Sequence, residues 1–161
     1  MPGFENSIHD VGQRASTYKH IELTIASALS RWIDLVPESA ACAMVGSHAH
    51  IHVDHAQLWD SRLPSLWDHD SSTWNIDKNN QLLAVIAQVE NDADLATTSQ
   101  KLETMYRAVL PAALQAYSAH HVTVDPQVDS ATVRILQICI NNTRDQIEQA
   151  NDIIARLSAA S

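Results

Sequence analysis

Glycine is scarce, with three residues in a chain of 161, and phenylalanine occurs once. With only five prolines as well, collagen-like, disordered and turn-rich all-β classes are excluded, because they need frequent backbone punctuation. Cationic side chains are also few: ten Lys and Arg stand against nineteen Asp and Glu, a formal charge of −9. A phosphate backbone repels such a chain, so no nucleic-acid partner is expected. No apolar run approaches the roughly 18 residues of a membrane span, so no membrane partner is expected. Met1 to Gln13 shows neither a basic start nor an apolar stretch, so no signal peptide is read there. Cys42 and Cys139 fall in no C-x-x-C pattern. They read as reduced thiols of a cytoplasmic protein.

What the chain does have is long helical periodicity, over a length that suits one domain, residues 1–161. Tyr18, Glu22, Ile25, Leu29, Trp32 and Val36 alternate spacings of four and three, which predicts a helix over about 13–36. Pro37 breaks it, and a second helix follows to about Arg62 with Ala41, Val45, His48, His52, His55 and Trp59 on its seam. Leu63 to Asn79 reads as a connection of roughly 17 residues, long enough to be a lid or a packed loop. It carries Trp67 and Trp74, which are poor choices for a solvated linker. Helical pattern returns near Asn80 and breaks around Asn91–Thr97. Thr97 with Gln100 matches a capping box, opening a helix to about His121 with Glu103, Tyr106, Leu110, Ala113 and Tyr117 in register. Pro111 should kink that helix. The last helix runs from about Pro126 to Leu157, with Asp129 or Asp125 as cap. Together these predict an all-α, antiparallel four-helix bundle with a long loop between helices 2 and 3.

Polar residues on the apolar seams carry the chemistry. At about 100° per residue, His52 lies about 40° from His48 and His55 about 20° from it on the other side. All three imidazoles occupy the centre of the apolar face, whereas His50 points away with Asp54 and Gln57. Glu22 is surrounded by Tyr18, Ile25, Ala26 and Leu29. A carboxylate there costs several kcal/mol unless it is paired or bound to a cation. Glu22 and His52 lie equally far on either side of Pro37, so an antiparallel hairpin brings them level. One acid and two or three imidazoles at one depth point to a divalent metal site, for Fe, Mn or Zn, drawn from Glu22, His48, His52, His55 and Glu103. Asp92 is the alternative acid if the third helix is continuous from Asn80.

This arrangement resembles the ferritin-like superfamily of four-helix metal carboxylate proteins. Glu22 matches the first ligand of that pattern. His52-Val53-Asp54-His55 sits where the first E-x-x-H belongs, with His in place of Glu, and Glu103 matches the lone Glu. The second E-x-x-H is absent, since Asp145 and Glu148 face away from the last seam. The resemblance implies a metal-dependent enzyme, a non-haem oxidoreductase acting on a small organic molecule, with Glu22, His52 and Tyr106 as catalytic residues. Tyr18 and Tyr117 would line the pocket with Tyr106. Two alternatives stay open. One is a metal-free enzyme using the core His and Glu as acid and base. The other is a non-catalytic bundle that binds a partner or ligand. Outside the site, Trp32 and Trp59 are read as core, and His120 and His121 as protonated residues at a helix C-terminus. Ile135 and Ile138, with Arg134 and Asp145, suggest a homodimer face.

Overall fold

The computed structural model describes residues 7–65 and 74–160. Trp67, expected in the connection after the second helix, lies outside the described residues. The described chain is all-helical. Helix α1 spans Ile8–Trp32 and α2 spans Ser39–Ser61. A short α3, Gln81–Glu90, follows the connection, and then come α4, Thr98–Thr104, α5, Leu110–His121, and α6, Ser130–Ala159. No described helix is long and apolar enough to cross a membrane.

Most helix starts are encoded locally. Ser7 and Asp10 form a capping box on α1, and Thr97 and Gln100 form the expected one on α4. Asn80 caps α3 by accepting from Leu82 N, and Asp129 caps α6 by accepting from Thr132 N at 3.1 Å. Glu38 precedes α2 without such a bond; its carboxylate instead accepts the Thr98 hydroxyl at 2.8 Å, tying α2 to the start of α4.

Cross-helix bonds set the directions. Lys19 pairs with Asp60 at 2.7 Å and Glu22 with His52, so α1 and α2 are antiparallel. Thr17 accepts from Asp77 N, and Arg31 donates to Val89 O at 2.9 Å, so the stretch through α3 runs parallel to α1. Thr98 meets Glu38 and Tyr106 meets His48, which makes the α4–α5 rod parallel to α2. Arg62 bonds Asp129 and His48 bonds Gln149, so α6 is antiparallel to α2. The core between them holds Ile21, Ile25, Leu29, Trp32, Trp59, Leu102, Leu136 and Cys139, each 0–1% exposed. Ile135 is buried in this same core, whereas Ile138, the other apolar residue of the expected homodimer face, is half-buried.

The rod from Thr98 to His121 contains one wide turn. Residues Met105–Val109 are π-helical, with Leu110 N bonded to Met105 O. Pro111 lies directly after it. Its ring nitrogen cannot donate to the carbonyl of Arg107, and its ring would crowd that carbonyl in a regular helix. A π turn takes up the extra residue and opens room. The expected Pro111 distortion is therefore a register shift within an unbroken rod.

Trp74 returns from the connection onto α1. Its ring covers Gly12 and stands edge-on to His9 at 5.5 Å between centroids, and its indole N–H donates to Pro64 O at 3.1 Å. A Cβ at Gly12 would fall inside the ring's van der Waals envelope, whereas one at Gly46 meets only Ile33 Cδ1 at 3.6 Å. Both glycines lie within helices, where Ala is favoured by about 1 kcal/mol. Gly46→Ala is expected to raise the melting temperature. Gly12→Ala is expected to lower it, with a net loss of about 1–3 kcal/mol from displacing Trp74. Paired chemical denaturation of the two variants checks both signs.

Candidate metal centre

The site is built around Glu22, fully buried in the middle of α1. Its Oε2 faces His52 Nδ1 at 2.5 Å and His55 Nδ1 at 3.2 Å. Its Oε1 accepts the Tyr117 hydroxyl from α5. One ligand atom each from Glu22, His52 and His55 lies within 4.8 Å of the others, and all three residues are buried. This group could hold a metal ion. Depth and helical phase place it: α1 and α2 meet near Pro37 and bring Glu22 level with His52, and His55 follows one turn on along the same face.

The far side of each imidazole is held by an amide of α6. His52 Nε2 meets Gln146 Oε1 at 2.8 Å, His48 Nε2 meets Gln149 Oε1 at 3.0 Å, and Asn142 Nδ2 donates to His55 Nε2 at 2.9 Å. Asn142, Gln146 and Gln149 lie on one stripe of α6, and antiparallel packing sets them opposite His55, His52 and His48. These amides are absent from the sequence expectation. Their signal was three amides at spacings of four and three, which place them on one face of the last helix.

The electrostatics follow from burial. Desolvation alone would push the Glu22 carboxyl upward, but the charges and hydrogen bonds of His52 and His55 outweigh it and hold Glu22 well below the usual carboxylate range. Burial, and then the Glu22 charge, push the Tyr117 hydroxyl well above its ordinary value, so it stays a donor at neutral pH. His52 has acceptors on both sides, Glu22 and Gln146. His55 sets Nδ1 against the carboxylate and Nε2 against the Asn142 amide.

The other expected site residues fall elsewhere. His48 and Tyr106 are buried, but they pair with each other, His48 Nδ1 to Tyr106 Oη at 2.7 Å. Burial lowers the His48 imidazole and raises the Tyr106 hydroxyl. Neither reaches the Glu22 carboxylate. Glu103 is solvent-exposed and pairs with Arg107 at 3.6 Å. The π turn explains the miss: with an extra residue taken up, the core face moves to Leu102, which is 0% exposed, and Glu103 swings outward. Asp92 lies at the far end of α1, accepting from Trp32 Nε1 at 2.6 Å and Arg31 at 3.2 Å. Desolvation raises its carboxyl, but those bonds prevail and hold it low. Asp145 and Glu148 are exposed, as their phase implies. Tyr117, expected only to line a pocket, is a direct partner of Glu22.

His120 departs from the protonated C-terminal reading. It is part-buried, and its Nδ1 lies 3.1 Å from the Tyr18 hydroxyl. Burial, aided by the nearby Arg14 charge, brings its imidazole down to about 4, so it is neutral at pH 7. Burial takes the Tyr18 hydroxyl up to about 12, so Tyr18 is the donor.

His48 and His120 thus have folded values below their unfolded ones, and between the two values the unfolded chain binds more protons. Their contribution to stability is complete above about pH 6.5 and declines as the pH falls. Denaturation midpoints should drop between pH 7 and pH 5, with His120 adding a slope of up to about 1.4 kcal/mol per pH unit. His120→Asn, which keeps an acceptor for Tyr18, should flatten that slope. The Glu22 contribution is present above about pH 4.3 and is lost as the pH falls below it.

Comparison with protein-family models, with curated proteins and with solved structures finds no match. The chemistry of the site therefore rests on its own geometry.

Proposed function

We propose that the protein is a metal-dependent helical-bundle enzyme in which Glu22, His52 and His55 hold one divalent transition metal. The observation that carries this reading is the convergence of one carboxylate and two imidazoles within 4.8 Å in a dry core. Two histidines and one carboxylate, with further positions open, suit non-haem Fe(II) best, and Mn(II) or Zn(II) next. When bound, such an ion supplies dioxygen or water activation toward a small organic molecule.

The surrounding residues fit an ion. Each ligand has an outer partner that fixes its orientation: Tyr117 on the second Glu22 oxygen, Gln146 on His52, Asn142 on His55. With Gln146 Oε1 accepting from Nε2–H, the Nδ1 of His52 is free to lose its proton and donate to a metal. Gln146 Nε2 and the Thr143 hydroxyl are buried with no hydrogen-bond partner among the described residues. Gln146, which contacts His52, thus leaves polar capacity beside that ring for a further ligand of the ion.

The connectivity supports a ferritin-like bundle. Four long rods, α1, α2, α4–α5 and α6, run up, down, down and up, and the stretch through α3 is the single long crossover that such folds use between their second and third helices. The ligand set is smaller than in that superfamily. Glu103 is outside, and amides replace the second E-x-x-H on α6. A one-ion centre follows, in place of a two-ion centre.

A second reading is favoured by one observation. All six ring nitrogens of His48, His52 and His55 already have partners within the chain. On that reading the ladder is metal-free and fixes the register of α2 against α6. Anaerobic titration of chelator-treated, untagged protein with Fe(II), and with Co(II) as a spectroscopic probe, separates the two. We expect one equivalent to bind, Glu22→Gln and His52→Ala to abolish the site, and Tyr117→Phe to weaken it about 10–100-fold. Exposed Glu103→Gln should bind as the parent does. No saturable binding, or binding unchanged in both Glu22→Gln and His52→Ala, would establish the metal-free ladder instead.

A further inference from the structure

A polar cleft of about 580 Å³ opens at the lower end of α1, between α1, the end of α5 and the residues leading into α3. That is the size of a small-molecule site. Its lining includes Arg14, Gln13, Tyr18, Asn80, His120 and Thr123. Arg14 is half-buried, and no hydrogen bond or ion pair to it is found among the described residues. Two carboxylates, Asp10 and Asp77, share the cleft yet leave it unpaired. Both are engaged locally: Asp10 accepts from the Ser7 backbone and hydroxyl in the α1 capping box, and Asp77 accepts from Asn79 N at 3.0 Å.

The rest of the lining carries no competing positive charge. Arg14 itself helps to keep His120 neutral, and the Tyr18 hydroxyl is spent on His120 Nδ1. A planar, always-charged fork left unpaired, with the neighbouring carboxylates already occupied by local bonds, is the recognition chemistry of a carboxylate, which it meets with two parallel bonds. We infer that this cleft binds a small organic carboxylate, anchored on Arg14 and flanked by the side-chain amides of Gln13 and Asn80. The floor of the cleft is Tyr18, whose ring stands edge-on to Tyr117 at 4.9 Å between centroids. Tyr117 in turn donates to Glu22, so the bound molecule lies one aromatic layer from the Glu–His cluster. The assignment stands on the cleft alone and needs no ion in the core.

The test is titration of metal-stripped, full-length protein with pyruvate and with succinate, followed by amide NMR shifts and calorimetry. Succinamide serves as the uncharged control and inorganic phosphate as the competing anion. We expect saturable binding of at least one of the two acids, with shifts centred on Arg14, His120 and Thr123, and none with succinamide. Arg14→Gln should weaken binding at least about tenfold, and Arg14→Lys, which keeps the charge but loses the fork, should fall between. Failure of both acids to bind, equal affinity for phosphate, or unchanged affinity in folded Arg14→Gln would each overturn the assignment. Because the protein is metal-free throughout, none of these outcomes depends on whether Glu22, His52 and His55 hold an ion.

Discussion

A carboxylate with no access to water sits in the middle of α1, and the packing around it answers that single cost. Left alone, buried Glu22 would destabilise the fold by several kcal/mol or take up a proton. It does neither, because two imidazoles and a phenol are delivered to its two oxygens by different helices. α2 must lie antiparallel to α1 at the depth where His52 faces Glu22. α5 must bring Tyr117 to the other oxygen. α6 must then cover the outer nitrogens of the histidines with amides. Moving any of these helices by one turn leaves a buried charge or a buried imidazole without a partner, so this constraint determines register more strictly than apolar contact does.

The π turn shows how a local constraint propagates to the site. Pro111 cannot complete a regular helix with Arg107, and the backbone widens just before it. Tyr106, inside the turn, stays in the core and reaches His48. Upstream, the phase of the rod moves by one residue, so Leu102 fills the core and Glu103 faces solvent beside Arg107. One proline thereby decides that α4–α5 contributes phenols and not a carboxylate to the polar interior.

Much of this was legible in the chain. The four long helices follow from periodicity, and the break before Thr97 and the cap at Asp129 follow from local chemistry. The Glu22–His52 pairing follows from counting equally outward from Pro37. The residues that escaped did so for physical reasons. A seam defined by apolar character passes over Asn142, Gln146 and Gln149, because amides belong to either face. Only their shared stripe marks them as partners of His55, His52 and His48, with Gln146 buried, Asn142 half-buried and Gln149 at the exposed edge. Glu103 failed because the 3.6-residue period cannot anticipate a wider turn. His120 failed because the helix-end preference for a charged imidazole yields to burial beside Arg14. In each case tertiary context overrode a rule that is sound for an isolated helix.

The neutral outer layer and the charged inner cluster are complementary. The carboxylate at the centre is paired with two imidazoles, and the amides on α6 add dipoles without adding charge. Tyr18 and Tyr117, both held protonated, separate that centre from the cleft where Arg14 stands. The paired set in the core and the unpaired guanidinium at the rim are thus separated by the rings of Tyr18 and Tyr117. That layering lets an anion approach from outside without disturbing the internal pairing.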